Sequence, residues 1–189
     1  MRQPRELANA LAPQLRCATK LHFVDPYFDA ADASFFEPMK EYLLVAQNRR
    51  GLDELQIQVH FGVHRHAVEQ AARVEKRPMT EAELARRKLE ACEQRIKPLL
   101  RPGVKLRAFA WGESSSRGRL HNRYLLTEVG GIAVQTGLDR SVRGGSQTDD
   151  LTVLSKEQHE EHRAEYHVDG TAFRLIADSS FAGAPPAGG

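Results

Sequence analysis

A chain of 189 residues, 41% of them hydrophobic, can bury one sizeable core and not two comfortable ones. Its formal net charge of +2 is too small for a bulk attraction to nucleic acid, so any anion site has to be local. Cys17 and Cys92 lie far apart without ligand spacing, which excludes a disulfide framework and a cysteine zinc site. No apolar run approaches the roughly 20 residues of a membrane span, and Met1-Arg2-Gln3-Pro4 does not open a signal peptide, so a cytoplasmic location without a transmembrane segment is expected.

In chain order, Leu7, Leu11 and Leu15 stand four apart and predict a short amphipathic helix interrupted near Pro13. This segment, residues 1–19, reads as a helical element at the edge of a main domain spanning 20–178. Lys20-Leu21-His22-Phe23-Val24 predicts a strand that stops at Asp25-Pro26. Asp25 then sits at a strand's carboxyl end, where open α/β sheets gather ligands, although a turn carboxylate would look the same. Ser34 and Glu37 match a capping box, and Phe35, Met39, Tyr42 and Ala46 carry the helix to about Asn48. Leu55, Ile57, Val59, Phe61 and Val63 alternate with polar residues and predict the clearest strand. His60, His64 and His66 fall on it and after it without a companion ligand at metal spacing, and are read as ordinary strand and loop residues.

Thr80 and Glu83 form a second capping box, opening a helix with the stripe Ala85, Leu89, Cys92, Ile96 and Leu99. Cys92 is therefore a core position, and the run Arg86-Arg87-Lys88 is expected to face solvent. Pro102-Gly103 stops the helix, Val104 to Trp111 predicts a third strand, and a polar loop from Gly112 brings Arg117 and Arg119 next to His121. Asp149 to Leu154 reads as a further strand. Ser155 and Gln158 cap a polar helix, Lys156 to about His167, whose His159, His162 and His167 suit a solvated face better than a metal site. Residues 179–189 end in glycine, alanine and proline and are expected to be a disordered tail.

Between the third strand and Asp149 lies Leu120 to Arg140, which reads as a β-hairpin with Gly130-Gly131 at its turn. With a period of two, His121, Arg123 and Leu125 share one face and Leu120, Asn122, Tyr124 and Leu126 the other. An imidazole and a guanidinium two residues apart on a rigid strand, with Gly137 and Asp139 returning on the partner arm, can hold a phosphate. The order strand, helix, strand, helix, strand, hairpin, strand, helix describes an α/β sandwich with a mixed sheet flanked by helices.

The hairpin resembles the histidine-lysine motif of the phospholipase D superfamily, with Arg123 where that family has lysine, Glu128 where it has aspartate, and Gly137-Leu138-Asp139 in place of its glycine-serine and asparagine. It is closest in motif to the phospholipase D-like C-terminal domain of microtubule-interacting-and-transport proteins, a branch regarded as a binding module. The resemblance covers most of the chain in pattern, from Lys20 to His167, and implies a phospholipase D-like sandwich. As an enzyme, the chain is expected to use His121 as the nucleophile on phosphorus, Arg123 as the clamp on the non-bridging oxygens, and Asp139 or Asp150 to orient the imidazole. Arg117, Arg119, Arg140 and Arg143 would track a nucleic-acid backbone. Single-motif relatives imply a homodimer that shares one site, with no metal and no cofactor. As a binding module, the same residues would hold phosphate groups, anionic lipid or a protein partner in a larger assembly. In a third reading His121 and Arg123 only stitch the hairpin to the next strand.

Overall fold

The computed structural model describes residues 3–48, 54–113, 120–135, 137–140, 150–170 and 172–184. Pro4–Ala10 (α1) and Ala12–Cys17 (α2) are two short helices that break at Leu11, where the fused periodicity of the leucines continues without the helix. Lys20–Val24 (β1), Ala33–Gln47 (α3), Leu55–Gly62 (β2), Arg65–Glu75 (α4) and Glu81–Ile96 (α5) follow. Val104–Gly112 (β3), Tyr124–Thr127 (β4), Gly131–Val134 (β5), Leu151–Val153 (β6), Lys156–Glu165 (α6) and Arg174–Ala182 (β7) complete the chain. One open, seven-stranded mixed sheet has the order β6-β5-β4-β1-β2-β3-β7. β1, β2 and β3 are parallel, while β4 runs against β1 and β7 against β3. The chain is therefore α/β.

The alternation in the central strands assigns the two faces. Phe23, Ile57, Val59, Phe61, Leu106, Ala108 and Leu125 point into the main core, where Leu7, Leu11, Leu15, Met39, Tyr42, Leu43, Leu89 and Cys92 cover them from the helices. Burial pushes the Cys92 thiol up to about 12, which leaves it an inert core residue as its stripe position predicts. The first two helices thus belong to the same core as the sheet. At the other end β7 pairs with β3 as far as Lys105 opposite Ala182, so residues 179–182, expected in the tail, form a strand.

On the opposite face His22, His60, Phe109, Trp111 and Phe173 stack under Tyr166 and the polar helix α6. His60 is buried, takes the Trp111 indole N–H on Nδ1 at 3.1 Å and meets Gln58 Oε1 at 3.1 Å through Nε2. His159 Nε2 donates to Thr127 O, and His162 lies between the Tyr124 hydroxyl and Glu165. These histidines are packing and hydrogen-bonding residues. Among the described residues no helix is long and apolar enough to cross a membrane.

Three local expectations change. The N-cap of α3 is Asp32, whose carboxylate accepts from Ser34 N at 2.7 Å, so the Ser34–Glu37 box is not used. α4 was not evident in the chain's pattern because none of its residues is buried. Lys88, expected in solvent, is only 8% exposed, and its ammonium lies 4.9 Å from the Phe61 ring centroid, whereas Arg86 and Arg87 do turn outward to Glu90 and Glu75.

Candidate functional site

β1 ends because Pro26 has no N–H to donate, and the chain turns at Asp25. Asp25 is 1% exposed. Its Oδ1 accepts from Tyr27 N and its Oδ2 from Leu138 N, both at 3.0 Å, so one carboxyl group ties the end of β1 to the segment after β5. Burial raises the Asp25 carboxyl above the ordinary carboxylate range, opposed by those two N–H groups and by Arg123, and aided by the negative charge of Asp139.

The hairpin forms, but shorter and by other means than the glycine pair suggests. Thr127 builds the turn: its hydroxyl accepts from Val129 N and Gly130 N and donates to Gly130 O at 2.8 Å. Gly130 and Gly131 have ordinary backbone, whereas Gly137, past the second arm, has φ of +100°. Glu128 caps the start of β1 through Thr19 N, Thr19 Oγ1 and Lys20 N, at the end of the sheet away from His121. The face assignment of the first arm agrees with the expected alternation, Leu125 entering the main core and Leu120, Tyr124 and Leu126 the second cluster.

His121 and Arg123 do not lie on the strand, because β4 begins at Tyr124. The antiparallel register Val24 to Tyr124 nonetheless sets the residues ahead of β4 beside Asp25. Arg123 O accepts from Val134 N, and its Nη1 donates to Gln135 O at 3.2 Å. Its Nε lies 3.8 Å from Asp25 Oδ1, and its guanidinium carbon 5.2 Å from the Tyr27 ring centroid. A Cβ built on Gly137 would lie 2.6 Å from Asp139 Oδ1 and 3.3 Å from Arg123 Cδ, so Gly137 lets Arg123 and Asp139 approach the backbone.

Helix α3 fixes this loop through a proline. Pro38 has no N–H for the Ser34 carbonyl four residues back, and Arg140 N takes that acceptor at 2.6 Å. One turn further on, the Tyr42 hydroxyl donates to Leu138 O.

The structure thus brings Arg123, Asp139 and Asp25 together, with Tyr27 packed on the arginine. His121 is exposed two residues ahead of Arg123. Arg140 is half-buried and held by its backbone on α3. Asp150 is exposed just ahead of the edge strand β6, where the register of β6 on β5 sets it opposite Gln135, two strand spacings of about 4.8 Å each from β4. Arg117, Arg119 and Arg143 lie outside the described residues. His64 joins this end of the sheet unexpectedly: it follows β2, is 8% exposed, and its ring centroid is 5.5 Å from that of Tyr27. Tyr27 directly follows the Asp25-Pro26 strand end that the sequence marks. For His64 the sequence carries no such signal, since its role depends on β2 lying next to β1.

Chemically, the site offers a guanidinium whose Nη1 donates to Gln135 O and whose Nε lies 3.8 Å from Asp25 Oδ1, a planar fork of the kind that suits a phosphate or carboxylate. No family model matches the chain, and no curated protein matches it.

Proposed function

We propose that the chain is a phospholipase D-like sandwich that recognises a phosphodiester at the carboxyl end of its sheet and cleaves it through His121. The observation that supports this most is the convergence of Arg123, Asp25, Tyr27 and Asp139 there, with an exposed imidazole two residues ahead of the arginine. Burial raises the pKa of Asp25, so its carboxylate charge beside Arg123 is held less firmly than that of an exposed aspartate.

In the proposed reaction a His121 ring nitrogen attacks phosphorus while the bond to the leaving oxygen breaks, and a second histidine protonates that oxygen. Water then attacks the phosphohistidine, gives up its proton, and releases a phosphomonoester and the free imidazole. Arg123 holds the non-bridging oxygens and stabilises the charge that develops on them. A homodimer sharing one site would supply the second histidine.

One observation favours the second reading, a module that binds phosphate without turnover: Arg123 is braced by Gln135 O and Asp25, while His121 lies off the rigid strand. Rapid quenching during cleavage of bis(4-nitrophenyl) phosphate or DNA separates the two. An acid-labile phosphohistidine at position 121, lost in His121→Ala with binding nearly intact, is expected for the enzyme. Binding lost in Arg123→Ala, with no turnover and no adduct in the wild type, would establish the binding module.

A further inference from the structure

Tyr27 belongs to two environments. Beside Arg123 it lies at the proposed phosphate position, and with His64 it forms a wall of a cleft of about 450 Å³. The cleft opens where β1 and β2 end, and helices α4 and α5 close its far side. Ala67 and Ala71 contribute only methyl groups to the lining, and a Cβ on Gly62 would lie 2.6 Å from His64 Nε2, so this glycine lets the imidazole lie against the strand end. Phe35 adds a third ring to the lining. The volume falls in the range of small-molecule sites, about 300–1,000 Å³.

Lys88 lies in the lining of this cleft, buried to more than nine-tenths. Among the described residues its ammonium has the Phe61 ring as its close neighbour and no hydrogen-bond acceptor. Burial holds it below the ordinary lysine range, with the charge of Asp29 first among those working the other way. An ammonium in the lining of a cleft, with a ring beside it and no carboxylate at ion-pair distance among the described residues, is a donor that the acceptor of a ligand can meet there. Asp29 is occupied by Ala31 N, Asp32 by the start of α3, and Glu75 by Arg77 and Arg87, so these carboxylates already have partners.

We infer that this cleft receives the base of a nucleotide whose phosphate is held at Arg123, so that the ligand of the proposed site is a nucleotide or single-stranded nucleic acid and not a lipid or an intact duplex. The inference rests on the phosphodiester reading above. Tyr27, half-exposed and backed by the tilted His64 ring, offers a ring face on which any base stacks, and Lys88 donates to a ring nitrogen or carbonyl on the base edge. A base inside a duplex is stacked and paired and reaches such a cleft only by leaving the stack. Acyl chains would meet the buried ammonium and the charged residues of the lining.

The test compares GMP and UMP with ribose 5-phosphate, which carries the same sugar phosphate without a base, by calorimetric titration of the full chain. The nucleotides are expected to bind at least about tenfold more tightly. Lys88→Met should remove about tenfold of nucleotide affinity and leave ribose 5-phosphate unaffected, with a cooperative melting transition showing that the variant folds. Ala71→Leu, which fills the cleft from α4, should do the same without touching Lys88. A single-stranded oligonucleotide should compete with GMP and its duplex should not. If nucleotides and ribose 5-phosphate bind equally and Arg123→Ala abolishes both, the base cleft is wrong while the phosphate site stands. If neither binds, the phosphate reading fails and this inference with it. Competition by phosphatidic acid vesicles but not by oligonucleotide would overturn the ligand class.

Discussion

Replacing Gly137 with alanine tests whether the approach of Arg123 and Asp139 depends on the positive φ of this glycine. At φ of +100° an L side chain is strained, a cost of about 1–3 kcal/mol. The new Cβ would also lie 2.6 Å from Asp139 Oδ1 and 3.3 Å from Arg123 Cδ and Nε, so the carboxylate must rotate away and the arginine stem must give. A total of about 2–3 kcal/mol follows, and at roughly 2–4 °C per kcal/mol for a domain of this size the melting temperature should fall by roughly 4–12 °C. Gly130→Ala is the control. Its Cβ would meet nothing nearer than Gln14 Nε2 at 3.5 Å and its φ is not positive, so the change should lie within about 0.5 kcal/mol of wild type or stabilise slightly. Guanidinium unfolding with unchanged m-values measures both, and titration with inorganic phosphate shows whether Gly137→Ala also weakens the anion site. Equal destabilisation by the two variants, or a neutral Gly137→Ala, would refute the assignment of strain to Gly137.

Acid should unfold the protein partly through the histidines under α6. The pKa of His22 is lowered from 6.5 to about 4 by burial first and then by Arg163 and Lys20, with Glu128 opposing; His60 is lowered well below 6.5 by burial and by His22. Depressed values contribute stability that is complete above 6.5 and lost as pH falls, for His22 by about 3 kcal/mol down to pH 4. Asp25 works oppositely, its contribution being complete below 3.8 and lost as pH rises through its raised folded value. His22→Leu should therefore flatten the decline in unfolding free energy between pH 6.5 and 4, and an unchanged slope there would contradict the burial argument. Thr127→Val keeps the shape of a fully buried side chain but removes the acceptor of Val129 N and Gly130 N, so it should cost about 1–2 kcal/mol in denaturant unfolding. A loss under about 0.5 kcal/mol would return the turn to its glycines.

Much of the architecture is local and was legible in the residues themselves. The capping boxes at Thr80 and Ser155 close within three residues, and the alternation from Leu55 onward needs only a strand with one face on a core. Pro26 stops β1 wherever the strand lies in the sheet. Other features needed the tertiary structure, because their partners are remote in the chain. Asp25 meets Leu138 across 113 residues, and Arg123 reaches Asp25 only through the register of β4 on β1. Lys88 belongs to a charge run that reads as solvated, and it is buried because α5 presents that position to Phe61 and the end of β2. The Ser34 carbonyl is left open by Pro38, a local fact, yet only the fold supplies Arg140 N to fill it. Periodicity and caps are short-range properties of a chain, whereas a site assembled at the ends of neighbouring strands is decided by strand order and register.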